Sequence, residues 1–485
     1  MQLDENVCYR AIASRDRRFE GHFVVAVTST GIYCRPGCPA RIPRRENTRF
    51  FAHPAAAEGA GFRPCRRCRP DSSPQTAAWQ GTSSTVSRAL RLIGDGALDD
   101  AGIDGLASRL GVGDRHLRRL FARHLGASPL SLARTRRAHF ARKLLDETEL
   151  PLSQIALAAG FRSLRRFNGV MLETFGQPPG SLRRKEGRGP LQGDSLSLRL
   201  PYRRPLDWDA LLAFLRRRAL PGVEQVDDRT YRRTAGWGNW SGVLEVRPDD
   251  DQSCLGISLT MPPPGVLMQI LARANRLFDL ESDSRRIEDQ LSADPELRPW
   301  IRSRPGLRVP GAWDAFELAV RAVLGQQVSV DTARTLAGRL AAAFGTRLQD
   351  SSGESARGLT LLFPSPERLA TAELSALGMP AVRAAAIKSL SEALVAGRIR
   401  LDGSEPAAKV IAQLETLPGI GAWTAQYIAM RALRDPDAFP TDDLVLRRAF
   451  SRGQEPLTAS ELARKAEAWR PWRAYAAIHL WMGRT

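Results

Sequence analysis

Four cysteines near the start of this chain limit its fold more strictly than any other feature of the sequence. Cys34, Cys38, Cys65 and Cys68 form two close pairs, with three residues inside the first pair, two inside the second and 26 between them. Two such pairs joined by a loop suit the tetrahedral coordination of one Zn²⁺ ion by four thiolates. The spacing therefore predicts a small domain built around a four-cysteine zinc site, with disulfide bonds as the alternative.

The expected compartment argues against disulfides. The first twenty residues contain neither the apolar run nor the small-residue cleavage site of a secretory signal peptide. No apolar stretch approaches the ~18 residues that a membrane span needs, which excludes an integral membrane protein. We therefore expect a cytoplasmic, nucleoid-associated protein, in which disulfides are disfavoured. The remaining cysteines, Cys8 and Cys254, are isolated and are predicted to be ordinary buried thiols.

The charge of the chain indicates its class of partner. The formal net charge is +19 and the sequence pI is near 10.7. Residues 1–190 hold 32 basic and 17 acidic side chains, whereas residues 191–485 hold 39 and 35. An excess of this kind predicts a polyanionic partner, most often nucleic acid. We expect the N-terminal part to carry most of this electrostatic attraction.

The length and the local composition divide the chain. At 485 residues it is long enough for about three domains. Polar segments at residues 70–75 and 183–193 predict domain boundaries. After residue 299, amphipathic runs such as Ala315–Leu324 and 407–414 predict an all-α domain. Alternating apolar and polar residues predict strands before it, at residues 195–200, 242–246 and 254–259.

The residues around the cysteines indicate a protein family more specifically than the cysteine spacing does. Residues 30–41 read Thr-Gly-Ile-Tyr-Cys-Arg-Pro-Gly-Cys-Pro-Ala-Arg, and residues 61–68 read Gly-Phe-Arg-Pro-Cys-Arg-Arg-Cys. Together with residues 45–47 they resemble the N-terminal domain of the Ada methylation-response family, over roughly residues 2–74. The resemblance implies that Cys34 accepts a methyl group from a DNA methylphosphotriester, which suits a zinc-bound thiolate. A purely structural zinc knuckle is the alternative.

Methylation of one sulfur would remove one negative charge from the zinc centre. The surrounding arginines would then bind DNA phosphates more tightly, which predicts an affinity switch driven by methylation. These arginines are Arg35, Arg41, Arg44, Arg45, Arg66, Arg67 and Arg69.

Two helix-turn-helix patterns follow between residues 84 and 184. In the first, residues 103–110 lead through a glycine-containing turn into residues 114–121, with Asp114 as the expected N-cap. The two helices of the second pattern and the helix expected between the patterns are residues 152–161, 163–175 and 129–145.

This tandem arrangement resembles the DNA-binding domain of the AraC family. The resemblance includes the Ala-Gly-Phe turn at residues 159–161 and the segment from Phe175 to Arg184. It implies two recognition helices that enter successive major-groove segments about 34 Å apart on one face of the DNA. Ordinary helical packing is the alternative. The arginines expected to contact DNA are Arg115, Arg118, Arg119, Arg162, Arg165 and Arg166.

The sequence Leu-Pro-Gly-Ile-Gly at residues 417–421 has the composition of a DNA-binding hairpin between two helices. Backbone N–H groups in such a hairpin can hold a DNA phosphate, often through a cation, so a monovalent cation is a candidate ligand. Glycine is expected because a side chain would block the phosphate. Leu417, Gly419 and Gly421 are therefore predicted DNA-binding residues, although the motif alone indicates only non-specific binding.

The pair Asp442-Asp443 follows this hairpin, and the combination resembles the helix-hairpin-helix DNA glycosylase superfamily. Further matches cover nearly all of residues 196–485 and resemble the AlkA branch, the 3-methyladenine DNA glycosylase II family. They include Asp207-Trp208 and residues 310–317, 321–329 and 377–380. The resemblance implies a small α+β segment before the helices and hydrolysis of the N-glycosidic bond of alkylated bases in duplex DNA.

The resemblance also implies roles for individual residues. Asp443 would be the catalytic carboxylate, which stabilises an oxocarbenium-like sugar or orients the attacking water. Gln327 stands at the position of the wedge that fills the gap left by the flipped base. Trp423 stands where bifunctional glycosylases carry a Schiff-base lysine, so base release without strand cleavage is expected. The aromatic pocket, which would attract cationic bases, comprises Trp423, Tyr427, Trp481 and Phe214.

Two positions depart from the family pattern. Leu444 follows Asp443 where the family has an aromatic residue, which bears on the substrate range, and Gln327 is polar where the best-known member carries an apolar wedge. The chain lacks the Pro-Cys-His-Arg sequence of O6-alkylguanine methyl-transfer domains, so no repair of O6-methylguanine is expected. Helix N-capping is the alternative role for Asp443, and core packing is the alternative for each aromatic residue.

These patterns together predict a multidomain chain. We expect an α+β zinc domain at residues 1–74, an all-α double helix-turn-helix domain at 82–185, an α+β domain at 194–298 and an all-α helix-hairpin-helix glycosylase domain at 299–485. The predicted function is an alkylation response that joins a methylation-sensing transcription regulator to a monofunctional glycosylase. Alkylated and operator double-stranded DNA are the predicted partners, RNA polymerase is a further candidate, and no membrane is expected.

Two alternative functions remain on the sequence alone. One is a transcription regulator whose glycosylase-like domain is inactive, and the other is a glycosylase whose N-terminal half only tethers it to DNA.

Overall fold

A computed structural model shows a chain that divides into two compact units, and each unit is considered by itself. The first unit comprises Met1–Tyr202 and Met261–Ala272, and the second comprises Arg203–Thr260 and Arg273–Thr485. The structure describes residues 3–70, 84–183, 195–249, 253–348, 358–451 and 455–483. The predicted connectors therefore lie outside the described residues, except for Pro70 and Arg183. No described helix is long and apolar enough to cross a lipid bilayer.

The cysteine-containing region of the first unit is a small sheet with two helices. Its elements are α1 (Glu5–Ala13), β1 (Val24–Val27), β2 (Ile32–Cys34), β3 (Thr48–Phe51), α2 (Pro54–Gly59) and β4 (Arg63–Pro64). The strand order is β3-β1-β2-β4, with β1 antiparallel to both of its neighbours and β4 parallel to β2. Helix α1 contributes Cys8, Ala11 and Ile12 to a buried cluster that includes Phe23 and Val25 of the sheet region.

The parallel pairing of β2 with β4 brings the two halves of the cysteine pattern together. Tyr33 pairs with Pro64, and the Cys65 N–H donates to the Tyr33 carbonyl at 2.9 Å. Cys34, the last residue of β2, therefore lies beside Cys65 at the ends of neighbouring strands.

The helices that follow confirm the two predicted helix-turn-helix patterns. They are α3 (Ser84–Gly94), α4 (Ala97–Asp100), α5 (Gly102–Leu110), α6 (Asp114–Leu125), α7 (Pro129–Glu147), α8 (Leu152–Ala158), α9 (Leu164–Phe175) and α10 (Pro179–Leu182). Helices α5 and α6 form the first pair, α8 and α9 form the second, and α7 lies between them in the chain. Leu106, Leu117 and Phe121 are buried in the core that packs the first pair together.

Local capping explains where these helices begin and end. Gly111 ends α5 with φ 70°, a left-handed conformation that glycine adopts without steric cost. Ser163 caps α9 by accepting a hydrogen bond from the Arg166 N–H. Helix α7 has a capping box formed by Ser128 and Ser131 and extends two residues beyond its predicted end.

The N-cap predicted for α6 was wrong by one residue. Gly113 is the cap, and Asp114 is the first helical residue. Its carboxylate accepts a hydrogen bond from the Arg115 N–H at 2.6 Å. A carboxylate in the first turn still interacts favourably with the positive end of the helix, so this position retains the favourable electrostatics of an acidic residue.

The predicted strands are confirmed, and two more occur. Strand β5 (Ser195–Pro201) is the last element of the Met1–Tyr202 stretch of the first unit, and its residues Leu196, Leu198 and Leu200 are buried. The second unit begins with α11 (Trp208–Arg216), β6 (Glu224–Val226), β7 (Tyr231–Trp237), β8 (Trp240–Asp249) and β9 (Cys254–Thr260). Strands β6 to β9 pair in sequence order, each antiparallel to the next. Strand β7 was not predicted because its Arg232-Arg233 pair interrupts the apolar pattern.

The rest of the second unit is helical, as predicted, with one addition. Two short strands, β10 (Thr346–Arg347) and β11 (Leu361–Leu362), pair antiparallel within the helical region. Helix α15 (Ala315–Leu324) is almost entirely buried. Helix α12 (Leu267–Leu277) contains the division between the units, since its residues up to Ala272 belong to the first unit. The other helices are α13 (Ser284–Leu291), α14 (Arg298–Ser303), α16 (Val330–Phe344), α17 (Pro366–Ala370), α18 (Ala381–Val395), α19 (Ala407–Glu415), α20 (Ala422–Arg431), α21 (Leu444–Ala449), α22 (Ala459–Ala466) and α23 (Arg473–Met482).

Charged side chains are buried between the sheet of the second unit and α15. Arg233 donates to the Glu317 carboxylate at 2.8 Å, and Arg321 donates at 2.9 Å to both Glu317 and Glu224. The Tyr231 hydroxyl donates to Glu224 at 2.7 Å. Burial alone raises the pKa of Glu224, but the charges of Arg321 and Arg233 lower it below its usual value. The network therefore joins the sheet of the second unit to α15, and each buried carboxylate in it is paired with an arginine.

We expect Glu317→Gln to lower the free energy of unfolding by about 3 kcal/mol, because two buried guanidinium groups lose a carboxylate partner. Guanidinium chloride unfolding of the full chain, followed by circular dichroism, measures the change. The control Glu415→Gln, at an exposed position at the end of α19, should change stability by less than about 0.5 kcal/mol. Equal effects of the two substitutions would contradict the role given to the network.

Candidate zinc centre and candidate active site

The four predicted zinc ligands meet in one cluster. Their Sγ atoms all lie within 4.8 Å of one another. Tetrahedral coordination at 2.3 Å places sulfur atoms about 3.8 Å apart, so only small side-chain adjustments are needed to hold Zn²⁺. Hydrogen bonding among the sulfurs, together with burial, raises the pKa of the Cys34 thiol, whereas the hydrogen bond with Cys34 lowers the pKa of Cys38 to about 7. A bound cation would favour the thiolate form of the ligands. Cys34 is 9% exposed, whereas Cys38 is more open to solvent.

None of the six cysteines forms a disulfide. The two isolated cysteines, Cys8 and Cys254, are buried free thiols as predicted. Burial and the nearby carboxylate of Asp4 raise the pKa of Cys8 to about 11.

A largely buried carboxylate that sequence reasoning missed contacts Tyr33, the residue before the zinc ligand Cys34. Glu58 on α2 accepts a hydrogen bond from the Tyr33 hydroxyl at 2.9 Å, and His139 Nε2 of α7 lies 2.8 Å from the same oxygen. Thr135 of α7 donates to the other oxygen. Burial alone raises the pKa of Glu58, but His139 and these hydrogen bonds lower it. No spacing in the sequence indicates this contact, because its members come from three separate elements.

The arginines predicted around the zinc centre differ in whether an acidic residue of the protein already pairs with them. Arg35 pairs with Glu20 at 3.2 Å, Arg45 pairs with Glu5 at 3.3 Å, and Arg69 pairs with Asp146. Arg44 lies 3.7 Å from Glu46 at an exposed position. The other three arginines of the set are exposed, and they are Arg41, Arg66 and Arg67.

The predicted recognition helices present their arginines to solvent. Arg118 lies 3.5 Å from Asp114, and Arg119 lies 3.0 Å from His116 on the same helix. Arg162 donates to the Asp99 carbonyl of α4 at 2.8 Å. All six predicted arginines are exposed: Arg115, Arg118, Arg119, Arg162, Arg165 and Arg166.

The predicted hairpin lies between α19 and α20. Gly419 has φ +80°, and a Cβ there would lie 3.0 Å from the Ala386 Cβ, so backbone and packing within the protein already require glycine. A Cβ on Gly421 would meet no protein atom within 4 Å, which leaves open space for an approaching group. Leu417 is buried and anchors the turn.

The loop after α15 contacts this hairpin. Gln326 donates to the Gly419 carbonyl at 2.8 Å and to the Thr424 hydroxyl at 2.9 Å. The next residue, Gln327, is exposed and has φ 53°, a left-handed conformation that is uncommon outside glycine. The predicted wedge residue therefore projects from a loop that is fixed by its neighbour.

The predicted catalytic aspartate is held by three N–H donors. The Trp423 indole donates to Asp443 Oδ2 at 2.9 Å, and the Trp481 indole donates to Oδ1 at 3.1 Å. The Leu446 N–H donates to Oδ1 at 3.0 Å, so Asp443 is also the N-cap of α21. Asp443 therefore caps α21 and also faces the two tryptophans of the predicted pocket. Leu444 is 45% exposed beside it.

The predicted aromatic residues line the same site. The rings of Trp423 and Tyr427 are stacked, with centroids 5.2 Å apart and an interplanar angle of 10°. Trp481 lies 6.0 Å from Tyr427 at 51°. Phe214 joins this group through Arg431, whose guanidinium carbon is 4.9 Å from the Phe214 centroid and 5.4 Å from that of Tyr427.

Sequence reasoning missed the two arginines of this pocket. Arg431 donates to the Tyr427 hydroxyl at 2.6 Å, and the Arg218 guanidinium lies 3.7 Å from the Phe214 centroid. Arg431 follows Tyr427 by four positions within α20, which places the two on one face of the helix and is a signal that the sequence contained. Arg218 also follows Phe214 by four positions, but it lies just beyond the end of α11. Burial lowers the pKa of Arg218 to about 10.

Four family models match this chain. They are the metal binding domain of Ada at residues 7–71, a helix-turn-helix domain at 106–185, the AlkA N-terminal domain at 197–314 and the HhH-GPD superfamily base excision DNA repair protein at 320–474. A relative from Mycobacterium tuberculosis, a probable bifunctional transcriptional activator/DNA repair enzyme AlkA, is 45% identical over 99% of this chain and 97% of its own. The chain belongs to this bifunctional AlkA family.

Two further relatives each match one part of this bifunctional AlkA protein. DNA-3-methyladenine glycosylase 2 of Escherichia coli is 38% identical over 58% of the chain and 95% of its own length. The Escherichia coli bifunctional activator Ada is 34% identical over 36% of the chain and 48% of its own. A solved 3-methyladenine DNA-glycosylase from Archaeoglobus fulgidus shares the fold of the second part, with TM-score 0.51 and 21% identity over 59% of the chain and 97% of its own.

These matches confirm the predicted fold class and the predicted combination of a transcription regulator with a base-excision repair enzyme. The Ada-type domain and the four-sulfur cluster establish a site for one Zn²⁺ ion. DNA is the partner of the helix-turn-helix and glycosylase domains.

We expect Cys38→Ser to lower zinc affinity by at least about tenfold, because three thiolates do not complete the four-sulfur site. Metal analysis of the purified full chain, after dialysis against a chelator, measures the retained zinc. Cys254→Ser is the matched control, since Cys254 lies outside the cluster, and it should retain about one zinc ion per chain. Full retention by both variants would show that Cys38 is not a ligand.

Proposed function

We propose that this protein releases alkylated bases of the 3-methyladenine type from duplex DNA by hydrolysis of the N-glycosidic bond, without strand cleavage. The observation that carries the proposal is the Asp443 carboxylate, held by the indole N–H groups of Trp423 and Trp481 beside a stacked aromatic wall. The glycosylase relatives support the same reaction class.

The reaction requires a base that has left the helical stack. We infer that Gln327 enters the gap in the duplex, which its exposure and its contact-fixed loop support. We infer that Leu417, Gly419 and Gly421 hold the DNA backbone near the pocket, with a monovalent cation as a candidate bridge. The open space beside Gly421 supports this role.

Asp443 would act on the sugar rather than on the base. As the C1′–N bond breaks, its electron pair moves to the base and positive charge develops on the sugar ring. The carboxylate stabilises this charge while water attacks C1′ and releases a proton. The three N–H donors keep the carboxylate in one orientation, so it needs no reorganisation during the reaction. Trp423 carries no amine that could form a Schiff base, which supports hydrolysis without lyase chemistry.

We propose a second activity at the zinc centre. Cys34 Sγ would attack the methyl carbon of a methylphosphotriester; an S–C bond forms, the C–O bond breaks, and its electron pair stays on the phosphate oxygen. Bound zinc keeps the sulfur ionised at neutral pH. The Ada-type match over residues 7–71 supports this role.

The remaining predictions form one regulatory proposal. Loss of one negative charge at Cys34 would strengthen phosphate binding by the exposed arginines nearby, and the two recognition helices would then hold operator DNA. Three further expectations stay predictions: RNA polymerase as a partner, the cytoplasmic location, and domain boundaries at residues 1–74, 82–185, 194–298 and 299–485. Leu444 and Gln327 would adjust the lesion range and the damage search.

We expect Asp443→Asn to lower release of 3-methyladenine and 7-methylguanine from methylated duplex DNA by about a thousandfold, because the charge that stabilises the sugar is lost. Asparagine caps helices as well as aspartate does, so α21 should persist. Free-base release and strand breaks are measured together. The neighbouring, exposed Asp442→Asn is the control and should release base at the normal rate. Absence of release by the unmodified protein would favour the regulator with an inactive glycosylase-like domain.

We expect one methyl group to be transferred per chain from a duplex that carries a methylphosphotriester, and peptide mass spectrometry should find it on Cys34. Cys34→Ser should accept none, because a hydroxyl is a far weaker nucleophile than a thiolate. Cys254→Ser should accept methyl normally. An unmodified Cys34 in the zinc-loaded protein would leave the cluster as a structural knuckle.

A further inference from the structure

An apolar side chain is exposed at the start of the second recognition helix. Leu164 is the first residue of α9, and it is 47% exposed. The residues next to it, Ser163, Arg165 and Arg166, are polar and exposed. The surface that α9 presents at its first turn therefore combines one leucine with two arginines. Sequence reasoning selected the arginines for DNA binding and passed over the leucine between them and the turn.

Other residues already fix the beginning of α9. The Ser163 hydroxyl accepts a hydrogen bond from the Arg166 N–H at 3.2 Å, which caps the helix. The ring of Phe161, in the turn before the helix, lies 5.4 Å from the ring of Phe167, and both are buried. One polar contact and one apolar contact thus hold the entry of the chain into α9. The largely exposed side chain of Leu164 adds little to either of them.

The same position in the first recognition helix is charged. Asp114 is the first residue of α6, as Leu164 is the first residue of α9. The Asp114 carboxylate accepts from the Arg115 N–H at 2.6 Å and lies 3.5 Å from the Arg118 guanidinium. A helix-turn-helix of this chain can therefore begin its second helix with a charged residue. The leucine of α9 is not a requirement of the motif, and the two recognition helices present different chemistry.

The chemistry of the major groove indicates what an exposed leucine can recognise there. The N-terminal residues of a recognition helix contact base edges in that groove. Most features of these edges are hydrogen-bond donors and acceptors, which a leucine side chain cannot use. The exception is the C5 methyl group of thymine, which apolar side chains contact. Arg165 and Arg166 beside it can supply the contacts to phosphates that position a helix without reading sequence.

We propose that Leu164 packs against the C5 methyl group of a thymine in the operator and so makes α9 specific for a T·A base pair. The contact removes two apolar groups from water, one on the protein and one on the DNA. Cytosine lacks this methyl group, so the contact discriminates between the two pyrimidines. This inference rests on the operator binding proposed above, and it names one base pair that the operator must contain.

The test begins with the zinc-loaded full chain, which selects its preferred sequence from a library of random duplexes. Each thymine of the selected duplex is then replaced, one at a time, by deoxyuridine, which lacks only the C5 methyl group. We expect one replacement to weaken binding by about fourfold, the effect of leaving one methyl group unburied. Leu164→Ala should bind the thymine and deoxyuridine forms of that duplex equally. Alanine favours helices, so α9 should persist in this variant.

Leu172→Ala is the matched control. Leu172 is 54% exposed towards the other end of α9, and its substitution should leave the deoxyuridine penalty unchanged. Persistence of the full penalty in Leu164→Ala overturns the inference, and so does a selected duplex in which no thymine responds to deoxyuridine. A protein that binds duplex DNA but selects no common sequence overturns the proposed operator binding instead.

Discussion

The hydrogen bonds to the Asp443 carboxylate hold together the part of the second unit on which the candidate active site depends. Trp423 on α20 and Trp481 on α23 donate to it, and Asp443 itself caps α21. Three helices therefore meet at one charged group. A buried indole N–H without an acceptor and a carboxylate without donors would each carry a desolvation cost, so the aromatic wall and the carboxylate stabilise each other.

A comparable polar contact organises the first unit. Glu58 accepts from Tyr33, the neighbour of the zinc ligand Cys34, and lies against His139 on the helix between the two helix-turn-helix pairs. A buried carboxylate is tolerated only when such donors surround it. The position of the ligand strand and the position of α7 are thus linked through one side chain. The zinc region and the DNA-reading helices share a structural contact as well as a chain.

The arginines of this protein serve two different purposes. Those of the recognition helices are exposed and available to phosphates, which agrees with the basic excess of residues 1–190. Those of the second unit include Arg233, Arg321 and Arg431, which are largely or fully buried and bind carboxylates, backbone carbonyls or a phenol. Net charge alone cannot separate these groups, because a buried arginine contributes to pocket electrostatics and not to long-range attraction.

The sequence by itself determined the fold class, the zinc ligands, the paired helix-turn-helix patterns and the Asp443 region, because each depends on short spacings or on motifs that remain visible along the chain. Only the tertiary structure decided the contacts of Glu58, the burial of Cys34 and the cationic side of the aromatic pocket. It also moved the cap of α6 from Asp114 to Gly113. Capping depends on the backbone angles of one residue, and the other features join side chains from elements far apart in sequence. No local pattern records such contacts, since packing between elements brings these groups together.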